Sequence, residues 1–346
     1  MRKNHNNFIR LAFNKAKINL GKTRPNPSVG CIIVKNQSVI SSGFTSIGGR
    51  PHAENNALNQ NKNFKNSTMY VTLEPCVHYG KTPPCSNLII NKKIKKVFYT
   101  FNDVDPRTSN KLKKKLKKKN IHVKKIPYKE FKDFYTSYFN SFINEVPYVD
   151  AKLAISKDFY TIDKKKEWIT NRFSRKRVHL LRSEYEAIIS TSSSINADNS
   201  ILNCRLKGFD NLKPDLIIID LKLKIKKDLK IFKRKTKRKI IIVTSIKKHQ
   251  KINYLKSKGV KLIKIDNLKS KKDFLSFFKI LKKINYNRIL IESGLVFLKS
   301  SIESNIISNL YTFVSHRKLG KRGLNNTSIN FLKKKKLNKR IKENLG

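Results

Sequence analysis

The most constraining feature of this sequence is the stretch from His52 to Cys85. It reads His52-Ala53-Glu54, then a strand-like run Met69–Leu73, then Glu74-Pro75-Cys76 and, nine positions on, Cys85. One His and two Cys can hold Zn²⁺ with three protein ligands, which leaves the fourth tetrahedral position open, as in a catalytic rather than a structural site. Glu54 follows His52 by two residues, so it can face the open position without being a ligand, and a carboxylate there can move protons. Two Cys alone would be ordinary buried small hydrophobes. The joint pattern is more specific, because His-x-Glu opens a helix over Ala53–Leu58 and a strand leads into Pro75-Cys76. Thr82-Pro83-Pro84-Cys85 then opens another helix, over Cys85–Asn91. Both Cys are therefore expected at helix N-termini, where exposed N–H groups favour thiolate.

A chain of 346 residues has room for two domains with real cores. Alternating patterns divide it near Pro147, giving expected domains over 1–145 and 146–346. The first reads as a helix over Asn7–Leu20 and a rigid loop Thr23–Ser28, then a hairpin Val29–Val34/Ser38–Phe44 turning at Asn36. After the helix at His52 come the strand Met69–Leu73, the helix from Cys85, the strand Lys96–Phe101, the helix Asn110–Lys119 and a short strand Ile121–Lys125. This is one sheet with helices on its faces. Tyr128–Asn144 reads as a linking helix whose aromatic stripe suits packing. Beyond Pro147, strands are expected at Tyr148–Ile155, Ala187–Ser190, Asp215–Asp220, Lys239–Thr244, Val260–Ile265, Arg288–Ile291 and Leu310–Val314. Helices are expected at Phe173–Glu184, Ile246–Lys258, Lys271–Lys283 and Leu295–Ser304. Such alternation argues a second α/β domain with a largely parallel sheet.

The formal net charge of +55 raises nucleic-acid binding as a possibility. A binding patch should be local, however, and Lys is spread along the whole chain. The runs Lys113–Lys115, Lys117–Lys119 and Lys333–Lys336 read as solvated helix faces, and abundant Lys, Asn and Ile fit AT-rich codon usage. No specific nucleic-acid partner is expected. Four Cys, two of them in the candidate metal site, fit a reducing compartment better than a disulfide framework. The N-terminus lacks a signal-like apolar core, and no apolar run is long enough to cross a bilayer. A cytoplasmic protein is expected, with no membrane partner.

These residues resemble the bifunctional riboflavin-biosynthesis family, in which a pyrimidine deaminase is fused to a pyrimidine reductase. The matching motifs are Thr23–Cys31, Gly49-Arg50-Pro51-His52-Ala53-Glu54 and Glu74-Pro75-Cys76 through Gly80-Lys81-Thr82-Pro83-Pro84-Cys85. Zinc nucleobase deaminases in general carry His-x-Glu and Pro-Cys-x-x-Cys. The long Cys-to-Cys insert with His78 sets this branch apart. The resemblance implies a cytidine-deaminase-like three-layer α/β/α domain and a dihydrofolate-reductase-like α/β domain. It implies Zn²⁺ on His52, Cys76 and Cys85, Glu54 as proton shuttle, and a phosphorylated pyrimidine ribotide as substrate.

In the second half the resemblance rests on Glu167–Thr170, Val178–Arg182, Ala197-Asp198 with Leu202 and Arg205, and Ile291–Gly294. It implies NADPH, although no Gly-x-Gly-x-x-Gly follows a strand, so sequence alone does not show a dinucleotide site. Substrate contacts are implied at Asn26, Lys166, Arg182, Leu202, Arg205 and Glu292, with Arg182 and Arg205 suited to clamp a phosphate. His78 and Lys81 are further candidates. Cofactor contacts are implied at Ala154, Trp168, Ser194, Asp198, Ser293 and Gly294. The backbone of Ser293-Gly294, between a strand and a helix, can cradle a phosphate. Departures from the family pattern are Phe159 for Gly, Asn199-Ser200 for Asp-Pro, Ser293 for Gly, and Lys166 for a small polar residue. A homo-oligomer is allowed. The rival readings are a nucleic-acid-editing deaminase with a basic accessory domain, a binding protein with a structural zinc, and a deaminase whose reductase half is inactive.

Overall fold

The computed structural model describes residues 2–131, 133–209, 213–233, 238–327 and 339–342. The chain forms two compact units, Met1–Asn144 and Glu145–Gly346.

Unit 1 runs α1 (Arg2–Lys17), β1 (Gly30–Lys35), β2 (Ser38–Phe44), α2 (Ala53–Leu58), β3 (Thr68–Leu73), α3 (Cys85–Asn91), β4 (Lys96–Phe101), α4 (Leu112–Lys117), β5 (His122–Lys125) and α5 (Thr136–Ile143). The order is the expected one. The sheet is β2-β1-β3-β4-β5, antiparallel among the first three and parallel from β3 onward. Asn36 and Gln37 both have positive φ, the geometry of the tight hairpin turns that match strand twist.

Register shows how the sheet is covered. Gly30 and Cys31 are neighbours on β1, so they face opposite sides. A Cβ on Gly30 would lie 1.8 Å from the Ala12 carbonyl oxygen of α1. Gly43 pairs with Cys31 and faces the other side, where a Cβ would lie 2.3 Å from the Ala53 carbonyl oxygen of α2. One glycine on each face lets a helix backbone settle directly on the strands, and α2 is the helix that carries Glu54. The expected helix over Tyr128–Asn144 is instead a short 3₁₀ turn at Lys129–Phe131 followed by α5. Its aromatic stripe does pack: Phe131 stacks on Phe13 with centroids 4.2 Å apart, and Tyr135 is buried.

Unit 2 runs β6 (Tyr148–Ile155), β7 (Tyr160–Asp163), α6 (Arg172–Ser183), β8 (Ala187–Thr191), α7 (Ser192–Asp198), β9 (Asp215–Ile219), α8 (Lys230–Lys233), β10 (Ile240–Thr244), α9 (Gln250–Ser257), β11 (Lys261–Lys264), α10 (Lys271–Lys283), β12 (Arg288–Ile291), α11 (Leu295–Glu303), β13 (Asn309–Val314), β14 (Gly323–Asn326) and β15 (Lys339–Lys342). Eight strands in the order β11-β10-β9-β8-β12-β6-β13-β15 pair in parallel. β7 and β14 form a separate antiparallel ribbon. The apolar runs of the central strands split by parity. Ile189, Ile217, Ile241, Ile289 and Ile291 join Phe274, Phe278 and Leu298 of α10 and α11. Ile188, Leu216, Ile218, Ile242 and Leu290 join Leu181 of α6 and Ile252 and Leu255 of α9. A sheet buried on both faces is why these strands read as continuous rather than alternating hydrophobic runs.

The run Lys113–Lys115 and Lys117 projects from α4 while Leu112 and Leu116 face the core. The run Lys333–Lys336 lies outside the described residues. No helix among the described residues is long and apolar enough to cross a membrane.

Candidate active site

In unit 1, two loops fix the entry to α2. Asn26 donates from its side-chain amide to the Gly49 carbonyl at 2.8 Å, and Thr23 Oγ1 donates to the Asn26 carbonyl at 2.9 Å. Gly49 has φ +87°, and a Cβ there would lie 2.4 Å from the Thr23 carbonyl oxygen. Only glycine fits, and the chain leaves this clamp straight into Arg50, Pro51 and His52. Asn26 is thus at least a loop tie beside the site.

His52 is the N-cap of α2, Cys76 follows β3, and Cys85 is the first residue of α3. Their ligand atoms all lie within 4.8 Å of one another. His52 Nδ1 is 3.8 Å from Cys76 Sγ and 3.4 Å from Cys85 Sγ. Only Cys85 sits at a helix N-terminus. Cys76 is in the loop, yet the Cys85 N–H of that same terminus donates to its sulfur at 3.2 Å. The expectation of two helix-terminal Cys is corrected: one terminus serves both sulfurs.

The Cys85 side chain donates to Cys76, and His52 and the Cys85 N–H add to it. Together they hold the Cys76 thiol down at about 4 against the cost of burial. The Cys85 thiol is correspondingly pushed up, by its bond to Cys76 and by burial. The His52 imidazole is raised by the same Cys76 contact, with burial opposing. One imidazole nitrogen and two sulfurs this close together match the donor set of a three-ligand zinc site, where thiols give up their protons on binding metal. Glu54, in the first turn of α2, is 4 % exposed. Burial pushes its carboxyl up to about 7, His52 pulling it down and the Cys76 charge pushing it further up. A carboxyl poised near neutrality suits proton transfer in both directions.

The Cys76–Cys85 insert is strapped from outside. His78 Nδ1 meets Thr108 Oγ1 at 2.9 Å, Arg50 donates to Thr82 Oγ1 at 2.6 Å, and Lys115 donates to the Val77 carbonyl at 3.4 Å. Lys81 is exposed. Thr108 carried no signal in the sequence, since it stands outside every motif.

In unit 2, Glu292, Ser293 and Gly294 follow β12 and Ser194 follows β8, at the carboxyl ends of parallel strands, where open α/β sheets bind ligands. Arg182 grips Glu292 through Nε at 2.6 Å and Nη2 at 2.9 Å, and donates from Nη1 to the Asn203 carbonyl at 3.2 Å. Burial would raise the Glu292 carboxyl, but Arg182 and Lys152 overcome it and hold it at about 2. Arg182 is therefore a buried counter-ion to Glu292. Arg205 donates to the Asn203 side chain at 3.1 Å. Lys152, missed in a Lys-rich sequence, lies 3.7 Å from Glu292. Ala154 lies on the same face of β6 as Lys152. Burial raises the Asp198 carboxyl, and the Lys152 charge opposes it.

Ser194 and Asp198 belong to α7, a helix not foreseen from the sequence. Ser194 Oγ accepts from the Gly294 N–H at 3.1 Å, tying α7 to the loop that opens α11. A Cβ on Gly294 would sit 3.5 Å from that oxygen, an ordinary contact. The Ser293-Gly294 loop stands at the start of α11, directly after β12, a central strand. Leu202 has φ +51°, and its carbonyl accepts from Arg238 at 2.8 Å. Phe159 takes φ +70° where Gly would be easier, and Lys166 takes +58° on an exposed turn. Trp168 is 72 % exposed with Arg175 5.2 Å over its ring, so it is not a core residue. Among the described residues, no hydrogen bond or ion pair ties Lys166 or Trp168 to the Arg182–Glu292 cluster.

Comparison with known proteins covers both units. The cytidine and deoxycytidylate deaminase zinc-binding region matches residues 2–101, and the RibD C-terminal domain matches residues 147–342. The riboflavin biosynthesis protein RibD of Aquifex aeolicus is 31 % identical over 98 % of this chain and 95 % of its own length. That of Buchnera aphidicola is 33 % identical over 90 % of this chain and 87 % of its own. The Acinetobacter baumannii RibD structure (form 1) superposes with a TM-score of 0.79 at 29 % identity, covering 93 % of this chain and 90 % of that one. A deaminase/reductase structure from Thermotoga maritima gives 0.80 at 27 % identity, covering 94 % and 93 %. With a three-donor zinc cluster in one unit and a reductase domain in the other, this chain belongs to the RibD family, the bifunctional deaminase–reductases of riboflavin biosynthesis.

Proposed function

We propose that unit 1 hydrolytically deaminates 2,5-diamino-6-ribosylamino-4(3H)-pyrimidinone 5′-phosphate, and that unit 2 reduces the ribosyl group of the product to ribityl with NADPH. The observation that carries the first half is the convergence of His52, Cys76 and Cys85 within 4.8 Å beside buried Glu54. When bound there, Zn²⁺ supplies Lewis acidity and makes water acidic enough to act near neutral pH. His52 presents Nδ1, and the two sulfurs complete the set. Glu54 takes a proton from the attacking water, delivers it to a ring nitrogen, and later supplies one to the departing amine. The carbon–oxygen bond forms, the carbon–nitrogen bond breaks, and ammonia leaves. Asn26 and His78 flank this site and contact the substrate.

In unit 2, NADPH supplies the hydride when bound, so the protein's work there is positioning. Lys152 and Glu292, fixed by Arg182, line the sugar pocket, and Arg205 faces the phosphate. Ser194, Asp198, Ser293 and Gly294 form the cofactor side with Ala154 and Trp168, while Lys166 and Leu202 contact the substrate. The enzyme is cytoplasmic and its partners are small molecules. The family match over both units supports this over nucleic-acid editing. Its high charge attracts anionic substrates without specificity.

The test is ammonia release from the diaminopyrimidine ribotide, with and without a chelator, followed by addition of NADPH. Chelator-sensitive ammonia release and then NADPH oxidation are expected. Ammonia release without NADPH oxidation would leave unit 2 as a scaffold, and turnover unaffected by full metal removal would overturn the zinc reading.

A further inference from the structure

Behind the metal stretch, β3 runs into a buried carboxylate that no step of the deamination uses. Glu74 is 3 % exposed. Its Oε2 accepts from the backbone N–H groups of Asp103 at 3.3 Å and Asn110 at 3.0 Å, and its Oε1 accepts from that of Leu112 at 3.2 Å. One carboxylate so gathers both ends of the loop between β4 and α4. A carboxylate suits this because it is acceptor-only, and backbone N–H groups bind an ionised acceptor more strongly than a neutral one.

The loop in turn holds Thr108, which is 0 % exposed. Its backbone N–H donates to the Asp105 carbonyl at 2.9 Å, and its Oγ1 lies 2.9 Å from His78 Nδ1. His78 stands two residues after Cys76, in the insert that borders the metal donors. The hydroxyl engages Nδ1, and no hydrogen bond reaches Nε2 among the described residues. The imidazole therefore presents a single nitrogen in a fixed direction.

We propose that Thr108 and Glu74 are positioning residues for the deamination. Glu74 fixes the loop, Thr108 fixes the His78 ring, and Nε2 is aimed at the bound ribotide. This rests on reading unit 1 as the deaminase. A purely structural role for Glu74 would clamp the loop without governing how His78 is held.

The test uses the full-length, zinc-loaded enzyme. Thr108→Val keeps the shape of the side chain and removes the hydroxyl. Its KM for the ribotide is expected to rise about tenfold, the size of one hydrogen bond, with kcat within about threefold. Zinc stoichiometry and NADPH-dependent reduction of the deaminated substrate stay unchanged, and Thr108→Ser restores KM. In ring-¹⁵N histidine spectra, the His78 Nδ1 signal moves in the Val variant and returns in the Ser variant. Glu74→Gln sets an amide N–H against the Leu112 N–H, so it is expected to raise KM likewise and to speed hydrogen exchange at Asp103, Asn110 and Leu112. Wild-type KM with unmoved His78 signals in Thr108→Val would overturn the proposal, as would a kcat loss at unchanged KM. If the wild-type protein released no ammonia, the deaminase reading would fall, while the His78 spectra would still decide whether Thr108 holds the ring.

Discussion

Replacing Glu292 by Gln should cost unit 2 a large part of its stability, and the cost should depend on pH in a defined direction. Glu292 is buried between Arg182 at 2.6 Å and Lys152 at 3.7 Å. Its carboxyl stands at about 2 in the folded chain against an ordinary 4.5. At about 1.4 kcal/mol per pKa unit, that difference is worth about 3 kcal/mol at neutral pH. The figure agrees with the range of about 3–5 kcal/mol for removing one member of a buried ion pair, which leaves the other uncompensated. The folded carboxyl is depressed, so its contribution is complete above pH 4.5. It is lost as pH falls toward 2, because the unfolded chain takes up the proton first. By the same linkage about half remains at pH 3. The assay is urea unfolding of wild type and Glu292→Gln at pH 7 and pH 3. Circular dichroism would follow the whole chain, and fluorescence of Trp168, the only Trp, would report on unit 2. Equal stability at pH 7, or a gap as wide at pH 3 as at pH 7, would refute the reasoning.

Three further outcomes are expected. Gly43→Ala should push α2 off the sheet, because its Cβ would lie 2.3 Å from the Ala53 carbonyl oxygen. Reduced zinc retention with the reductase intact would show it, and normal zinc content would count against the tight β2–α2 contact. Gln37→Gly should stabilise unit 1 by about 1 kcal/mol, since Gln37 is exposed at φ +61° in the hairpin turn; a lower melting temperature would contradict this. Gly49→Ala should dislodge the Thr23–Ser28 loop and raise KM for the ribotide, measurable in initial-rate ammonia release; an unchanged KM would show that this loop does not shape the site.

Much of the fold and of the site is legible in the sequence, for specific reasons. The metal donors were legible because His-x-Glu and Pro-Cys each sit at a strand or helix boundary, where backbone geometry fixes side-chain direction. The parallel strands of unit 2 were legible because burial on both faces leaves unbroken Ile and Leu runs. Short polar elements were not. α7 reads Ser192-Ser193-Ser194-Ile195-Asn196-Ala197-Asp198, a composition that favours turns, and it is helical because Thr191 caps it and Ile195 is buried. The ribbon of β7 and β14 pairs strands about 160 residues apart, beyond the reach of any local pattern. Lys152 and Arg182 were obscured for opposite reasons. Lys152 is one Lys among many. Arg182 has the character of a solvent-facing cation until its buried partner is seen. Cys76 shows the limit of local reasoning, since its thiolate is stabilised by a helix terminus that belongs to Cys85.

The most direct test of the central claim pairs metal content with ammonia release in Glu54→Gln and Cys85→Ser. One zinc per chain is expected in wild type and in Glu54→Gln, with ammonia release lowered about 10²–10⁴-fold in the latter. Cys85→Ser should lose both metal and activity. Undiminished ammonia release by Glu54→Gln, or full zinc occupancy in an active Cys85→Ser enzyme, would contradict it.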